Sequence, residues 1–282
     1  MSLWTDFMGV EIKFYQAGPW RTRVAEAGTG TPLILIHGGG GHLEAYAKNV
    51  TPLSQHFHVY AIDALGHGLT DKPMDVEVTS KTQAEHVRYF MDAAGVDKAH
   101  LAGESMGGAI LGWFAQMYPE RTLKYVSICG AGLNPPEGKT PQEQAEQEDF
   151  AKRTRAALEN PTAEGLRPRL EWLFHDPSMV TDELAEVRAK IWGAPEYQAF
   201  ARRPRTGGGI ESLWSVLPEM GKRTPTLFLW TEHNPGTHLS TAKRAHELTP
   251  NSKLAVIKDS GHWPQYEQPE EFNKILVDFL LG

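Results

Sequence analysis

The sequence predicts an α/β protein in which a mostly parallel, eight-stranded sheet is flanked by helices and interrupted by one helical insertion. Short apolar runs bounded by Gly and Pro are typical of strands buried on both faces, as in parallel sheets. Amphipathic stretches of helical period separate these runs, which is the pattern of βαβ units. The alternation stops after residue 133 and resumes at residue 224, so the helices between these points form a separate block.

The predicted elements follow one another through the whole chain. Strands are predicted at Val10–Gln16, Arg21–Ala27, Leu33–Ile36, His56–Ile62, Lys98–Ala102, Leu123–Cys129, Pro225–Trp230 and Lys253–Lys258. Helices are predicted at Thr79–Ala94, Ala109–Tyr118, Thr140–Asn160, Glu164–Phe174, Thr181–Trp192, Leu239–Leu248 and Pro269–Leu281. We therefore expect a core formed by residues 1–133 and 224–282, with residues 134–223 as a helical lid.

Composition and charge exclude several classes of function. The 282 residues carry a net charge of −7 and no basic cluster, which argues against nucleic acid as a partner. No stretch approaches the roughly 20 apolar residues of a membrane span, and Met1–Gly30 lacks the apolar run of a signal peptide. The single Cys129 rules out an intramolecular disulfide and fits a reducing compartment. These observations favour a cytoplasmic protein that acts on a small molecule away from membranes.

The most informative stretch is Gly103-Glu-Ser-Met-Gly107, which has the G-x-S-x-G spacing of a nucleophile elbow. It follows a predicted strand and precedes a predicted helix. Glycines on both sides of the serine allow the sharp turn that lifts the Ser105 hydroxyl above the sheet. The same turn directs the Met106 N–H to the place where an oxyanion forms. The alternative is an ordinary glycine-rich turn between a strand and a helix.

A second glycine-rich loop, residues 38–41, follows the predicted strand Leu33–Ile36. Its backbone approaches a ligand closely and presents N–H groups to it, so we interpret it as the other half of an oxyanion hole. The alternative is a flexible loop. Asp63 and His67, in the loop after the next strand, are expected to order that loop rather than to catalyse.

Metal chemistry is not expected from this sequence. The histidines that lie close together in sequence, His37, His42, His56 and His58, lack a ligand spacing set by one helix or strand. We therefore expect no metal and no cofactor.

Four motifs, taken in chain order, resemble the α/β-hydrolase fold family over essentially the whole chain. They are His37-Gly-Gly-Gly, Asp63-x-x-Gly-His-Gly, Gly103-Glu-Ser-Met-Gly-Gly and Ser260-Gly-His-Trp. Within that family the chain is most similar to the meta-cleavage-product hydrolases, which split a carbon–carbon bond in 2-hydroxy-6-oxo-dienoates from aromatic degradation. The narrower resemblance rests on Ser105–Ala109, Asp182–Arg188 and Gly261–Asn273.

The resemblance implies roles for particular residues. Ser105 is the nucleophile or activates water, and His262 is its base, because a serine hydroxyl is nearly inert without one. The N–H groups of Gly39 and Met106 form the oxyanion hole. Substrate contacts are expected at Gly38, Gly40, Glu104, Arg188 and Trp263, with Arg188 either pairing with a substrate carboxylate or lying on a solvated helix face. A homodimer is common in the family.

Two departures from the family pattern concern charge. The third triad member is an Asp in the family, whereas this chain has Asn234, which accepts a hydrogen bond but carries no charge. Asn234 either orients His262 itself, or Glu232 does so instead, or the chain is an inactivated variant. Glu104 stands where the carbon–carbon hydrolases have Asn, and a carboxylate there repels an anionic substrate. The leading prediction is a carbon–carbon hydrolase, with a carboxylesterase or lactonase, or a non-catalytic ligand-binding protein, as alternatives.

Overall fold

The computed structural model describes residues 2–204 and 209–282. Eight strands form one sheet in the order β1-β2-β4-β3-β5-β6-β7-β8. Their bounds are Glu11–Ala17 (β1), Trp20–Ala27 (β2), Pro32–Ile36 (β3), His58–Ile62 (β4), Ala99–Glu104 (β5), Thr122–Ile128 (β6), Thr226–Thr231 (β7) and Ser252–Ile257 (β8). β2 pairs antiparallel with β1 and β4, and the remaining neighbours are parallel, so the predicted α/β class and its mostly parallel sheet are confirmed.

Helices cover both faces of the sheet and fill the stretch between β6 and β7. Their bounds are Leu3–Asp6 (α1), Ala47–Leu53 (α2), Ser80–Ala93 (α3), Met106–Met117 (α4), Pro141–Glu159 (α5), Ala163–Glu171 (α6), Asp182–Gly193 (α7), Pro195–Arg202 (α8), Leu217–Arg223 (α9), Leu239–Leu248 (α10), Pro264–Glu267 (α11) and Pro269–Leu281 (α12). None of the helices in the described part of the chain is long and apolar enough to cross a membrane.

Alternation of side chains along β3 produces two hydrophobic layers. Ile34 and Ile36 pack in the layer that includes α3, α4 and α10, whereas Leu33 and Leu35 pack in the layer that includes α2 and α12. Successive side chains of a strand point to opposite faces, so a continuous apolar run serves both layers. The sheet is therefore rigid at its centre, where β3 and β5 pair.

Parallel strands bring four loops to one edge of the sheet. The loops after β3, β5, β7 and β8 all start at the carboxyl ends of neighbouring parallel strands. In open α/β sheets this edge is where ligands bind. The glycine loop, Ser105, Asn234 and His262 follow these four strand ends, so the topology brings them together.

The helices between β6 and β7 have well-formed starts. Thr140 and Glu143 make a reciprocal capping box at α5. Thr181 accepts a hydrogen bond from the Leu184 N–H at the start of α7, as its position before two acidic residues predicts. The segment 134–223 thus consists of helices α5–α9 and connecting turns in its described part, and residues 205–208 lie outside the described residues.

Several boundaries and five helices differ from the predictions, and α6 ends at Glu171 rather than at Phe174. β5 extends to Glu104 and α4 begins at Met106, whereas the sequence suggests an end at Ala102 and a start at Ala109. Glycines 107 and 108 have low helix propensity, but they pack tightly against β3 and the loop after β6, and this packing overrides propensity. The sequence does not predict helices α1, α2, α8, α9 and α11, since each has no more than eight residues, too few for a clear helical period.

Candidate active site

Ser105 occupies a strained turn between β5 and α4. Its backbone has φ 51° and ψ −114°, a conformation that L-residues rarely adopt. A Cβ on Gly103 would lie 2.2 Å from the Gly107 backbone, and a Cβ on Gly107 would lie 2.1 Å from the Ile36 oxygen. Both glycines are therefore required for the turn to close. The Ser105 N–H donates to the Ile128 oxygen at 2.9 Å, which fixes the turn against β6.

The glycine loop after β3 is oriented by His37. Burial lowers the pKa of His37 to about 3, so the imidazole is neutral. Its Nε2 accepts from the Ala64 N–H at 3.1 Å, so its Nδ1 carries the proton and donates to the Gly38 oxygen at 2.8 Å. The same oxygen accepts from the Gly41 N–H. Because a peptide's C=O and N–H point in opposite directions, the Gly39 N–H is turned away from these donors.

His262 is held by Asn234 in a defined tautomer. The Asn234 Nδ2 donates to the Thr237 oxygen at 2.5 Å, so its Oδ1 faces the imidazole. His262 Nδ1 and this Oδ1 are 2.6 Å apart, and only Nδ1 can donate. The Nε2 of a neutral His262 therefore carries the lone pair. Glu232, the alternative partner of His262, is exposed, and the described hydrogen bond of His262 Nδ1 is to Asn234.

Glu104 is the group that faces Nε2 of His262. Its Oε1 lies 3.0 Å from Nε2, although the approach lacks hydrogen-bond geometry. The residue is 1% exposed, and neither carboxylate oxygen has a hydrogen-bond partner among the described residues. A Cβ on Gly38 would lie 2.4 Å from Oε2, so Gly38 makes room for this carboxylate. In the described part of the chain, His262 makes no hydrogen bond to Ser105.

A cavity of about 360 Å³ lies over these groups. Its polar wall includes Ser105, Glu104 and His262, and its aromatic wall includes Trp172 and Trp263. Gly38, Gly39 and Met106 also line it. The structure thus brings the serine, the histidine and both predicted oxyanion donors to one concave surface of the size that small ligands occupy.

A second cavity of about 280 Å³ adjoins the first, since both are lined by Gly39, Met106, Phe150 and Ile210. Gly40, Trp192 and Arg169 also line it. Helices α5 and α8 supply Thr154, Leu158, Tyr197, Phe200 and Ala201 to the remaining wall. The two cavities therefore adjoin each other beside the glycine loop.

Two buried arginines hold the outer carbonyls of the glycine loop. Arg169 donates from Nη2 to the Gly39 oxygen at 2.8 Å, and Arg188 donates from Nη1 to the Gly40 oxygen at 2.7 Å. The Trp192 Nε1 also donates to the Gly40 oxygen. These bonds fasten the segment 134–223 to the glycine loop.

The same arginines retain unused donors. Nη1 of Arg169, and Nε and Nη2 of Arg188, are buried without hydrogen-bond partners among the described residues. Burial lowers the pKa of Arg169 to about 10, and burial followed by the neighbouring Arg169 lowers the pKa of Arg188 to about 9. Two adjacent buried cations with free N–H groups attract an anion.

Arg188 and Trp263 are both predicted from the sequence, and the structure places them against each other. The guanidinium carbon of Arg188 lies 5.4 Å from the Trp263 ring centre. Arg188 is fully buried in a layer behind Gly40, whereas Arg169 lines the second cavity. Sequence reasoning misses Arg169 because no motif or periodicity distinguishes it from the other arginines of the helices.

A network of charges lies behind the glycine loop. Asp63 accepts from Arg23 Nε at 2.6 Å, from the Leu43 N–H at 2.7 Å and from the Leu69 N–H at 2.8 Å. Arg23 also donates to both carboxylate oxygens of Glu44. This agrees with the structural role expected for Asp63.

The described residues contain one group of side chains with the composition of a metal site. His175, His233 and Asp259 have potential ligand atoms within 4.8 Å of one another, and all three residues are exposed. They are not among the described residues that line either cavity. The histidines considered from the sequence are a different set.

The chain matches the family model described as alpha/beta hydrolase fold over residues 31–269. It therefore belongs to the α/β-hydrolase fold family. Curated relatives specify a narrower group. One is the 2-hydroxy-6-oxo-6-phenylhexa-2,4-dienoate hydrolase of Burkholderia cepacia, which is 32% identical over 93% of this chain and 92% of the relative. Another is the 2-hydroxy-6-oxononadienedioate/2-hydroxy-6-oxononatrienedioate hydrolase of Comamonas testosteroni, with the same identity and coverage.

Solved structures agree with these relatives. A meta-cleavage product hydrolase of Pseudomonas fluorescens superposes with a TM-score of 0.80 and 28% identity, covering 96% of this chain and 98% of that one. The similarity to the meta-cleavage-product hydrolases expected from the sequence is thus confirmed, and the relatives of this chain are hydrolases.

Proposed function

We propose that this chain is a serine-dependent hydrolase that cleaves a carbon–carbon bond in a 2-hydroxy-6-oxo-dienoate. The observation that carries the proposal is the common cavity of Ser105, His262, Gly39 and Met106. It is supported by curated relatives that are 32% identical over 93% of the chain and named for such substrates. The strained backbone at Ser105 supports a nucleophile, since such strain concentrates at functional sites.

The reaction adds one water molecule across a carbon–carbon bond. His262 first moves the proton of the 2-hydroxyl to C5, which converts the dienol to a ketone. Ser105 Oγ, or water activated by it, then attacks the C6 carbonyl and gives up its proton to His262 Nε2. The C5–C6 bond breaks, its electron pair forms the dienolate, and the proton on His262 passes to the 2-oxygen to regenerate the dienol. Where Ser105 Oγ is the attacking atom, water then hydrolyses the acyl ester on Ser105 with His262 as the base. The products are a hydroxypentadienoate and a carboxylic acid. Asn234 keeps the proton on Nδ1, so that Nε2 is free to accept.

The oxyanion that forms at C6 requires preorganised donors. We assign this role to the N–H groups of Gly39 and Met106, and removal of one such donor typically costs about 10²–10³ in rate. His37 contributes indirectly, because its bond to the Gly38 oxygen directs the Gly39 N–H.

The carboxylate of the substrate requires a cation. We assign it to Arg169, which lines the second cavity and has an unused N–H group, while the buried Arg188 adds a second positive charge behind Gly40. Trp263 forms a wall beside Ser105, and Gly40 keeps the loop close to Trp192, whose ring would lie 2.5 Å from a Cβ there. Residues 134–223 then act as a lid that supplies both arginines, with residues 1–133 and 224–282 as the hydrolase core. The cytoplasmic location and the homodimer stay predictions.

The test is turnover of 2-hydroxy-6-oxo-6-phenylhexa-2,4-dienoate, followed by loss of the dienolate absorbance and by identification of the products. We expect benzoate and a hydroxypentadienoate in equal amounts. Ser105→Ala should lower kcat at least ~10³-fold, as loss of a nucleophile does. Decay of the absorbance without benzoate, or equal rates for both proteins, would contradict the proposal.

A carboxylesterase or lactonase is the second candidate, and Glu104 favours it. A buried carboxylate in the cavity repels an anionic acyl group but not a neutral ester. Rapid hydrolysis of neutral p-nitrophenyl esters with no dienoate turnover would favour this candidate. Absence of both activities, with ester turnover restored by Asn234→Asp, would indicate an inactive member of the family.

A further inference from the structure

The imidazole of His262 has a neutral partner where a charged one is usual. Asn234 holds Nδ1 at 2.6 Å, but an amide does not stabilise the imidazolium that forms when His262 takes a proton. In serine triads the change from Asp to Asn at this position can cost ~10⁴ in kcat. The described site therefore lacks a negative charge on the Nδ1 side of the ring.

A negative charge is present on the opposite side of the same ring. Glu104 Oε1 is 3.0 Å from Nε2, and the carboxylate is buried with both oxygens unpartnered among the described residues. Of the cations near Glu104, Arg169 and Arg188 make their hydrogen bonds to other groups, and His262 alone makes a described ion-pair contact with it. A buried carboxylate is costly unless it meets a positive charge, and His262 supplies one when it is protonated.

Glu104 is also placed where a reacting proton passes. It directly precedes Ser105, lines the same cavity as Ser105 and His262, and is accommodated by the missing side chain of Gly38. A proton that leaves Ser105 Oγ for Nε2 therefore arrives beside Oε1. Asn234 fixes the ring so that this nitrogen, and not Nδ1, receives the proton.

We propose that Glu104 is a catalytic residue that replaces the missing triad carboxylate, so that the negative charge has moved from the Nδ1 side of His262 to the Nε2 side. Asn234 orients the ring, and Glu104 stabilises the imidazolium. During attack, Ser105 Oγ bonds to the carbonyl carbon and its proton bonds to Nε2, so that the Glu104 carboxylate faces the new imidazolium. The proton then moves from Nε2 to the leaving group, which restores neutral His262.

This inference rests on the part of the proposed function that makes Ser105 a nucleophile, and not on the dienoate. The test compares wild type, Glu104→Gln, Asn234→Asp and the double variant. A fluorophosphonate probe phosphonylates Ser105 with release of fluoride, and its second-order labelling rate reports activation of the serine without any substrate. Glu143→Gln is the matched control, because Glu143 is a buried carboxylate outside both cavities.

We expect Glu104→Gln to label ~10²–10⁴-fold more slowly, in line with loss of a triad carboxylate. The double variant should recover at least ~10-fold over Glu104→Gln, because the Asn234→Asp change restores a negative charge to the ring on its other side. Asn234→Asp alone should change the rate less than ~3-fold, since one carboxylate already serves the ring. A structural role for Glu104 gives no such recovery.

Two results would overturn the inference. One is a labelling rate of Glu104→Gln within about threefold of wild type. The other is a slow Glu104→Gln that Asn234→Asp does not rescue. If Glu104→Gln fails to fold by circular dichroism, Glu104→Asn serves as a smaller neutral variant in the same cycle. Normal labelling of wild type without dienoate turnover would instead contradict the carbon–carbon activity and leave this inference standing.

Discussion

Two groups of buried charges lie on either side of the glycine loop, and they differ in how far their hydrogen bonds are satisfied. Behind the loop, Arg23 bridges Asp63 and Glu44, and every guanidinium nitrogen of Arg23 makes a hydrogen bond. We call these three residues the support cluster. On the other side, Glu104 and Arg169 line the cavities and Arg188 lies behind Gly40, and these three residues retain five buried polar atoms without partners among the described residues. We call them the site cluster.

The comparison separates a structural role from a functional one. A buried charge whose partners are complete stabilises the fold, and removing one partner leaves the other uncompensated. A buried charge that lacks partners costs stability, and it persists where a ligand or a reaction intermediate supplies what is missing. We therefore assign the support cluster a role in stabilising the fold, and the site cluster a role in binding and catalysis.

Removal of a charge from the support cluster should produce the largest stability change. Asp63→Asn leaves the buried Arg23 short of an anion and weakens the bonds to two backbone N–H groups. We expect the free energy of unfolding to fall by about 3–5 kcal/mol. Urea denaturation at neutral pH measures this. A fall in the free energy of unfolding below about 1 kcal/mol would contradict the proposed difference between the support cluster and the site cluster.

Removal of a cation from the site cluster should affect binding more than folding. Arg169→Met keeps the packing against Phe150 and Trp192 but removes the unused donor together with the bonds to Gly39 and Thr154. We expect KM for a dienoate to rise ~10–100-fold, the equivalent of one charge-assisted hydrogen bond. The free energy of unfolding should fall less than in Asp63→Asn, because the lost bonds leave no buried anion without its cation. Arg167→Met, on the opposite and partly exposed side of α6, is the control, and an equal change in KM there would argue against a specific anion site.

His86 is a buried titratable residue outside both clusters, and the pH dependence of its contribution to the free energy of unfolding measures the cost of burial alone. Burial lowers the pKa of His86 to about 4, and its ring bonds only to Thr22 among the described residues. Between pH 6.5 and 4 the unfolded chain binds the proton that the folded chain does not, so stability falls as the pH falls. From about pH 7.5 to 5.0, His86→Gln should lose about 2 kcal/mol less stability than wild type. The exposed His56→Gln is the control, and the same pH dependence in all three proteins would contradict the expectation.

Local patterns in the sequence are sufficient for most of the fold. They predict strand β3 and helices α10 and α12 to within one residue, because apolar runs and helical periodicity report burial directly. They do not predict helix α8, because its eight residues are too few for a clear helical period. They misplace the start of α4 because glycine packing at the elbow is a tertiary effect.

Residues of the site are predictable from the sequence only where they lie in a recognisable motif. Ser105 and the glycine loop stand in recognisable local stretches, so their meeting follows from the order of parallel strands. The contact between Glu104 and His262 joins residues far apart in sequence and depends on one side-chain rotamer. No local sequence pattern identifies Arg169, because its role depends on its hydrogen bond to the Gly39 carbonyl on a distant part of the chain.

The difference between the two clusters is tested most directly by the stability of Glu104→Gln, measured by urea unfolding beside wild type and Asp63→Asn. The account predicts that Glu104→Gln is as stable as wild type or more so, while its Ser105 labelling is slow. A loss of several kcal/mol, comparable to that of Asp63→Asn, would show that Glu104 supports the fold and would contradict the division between folding and chemistry.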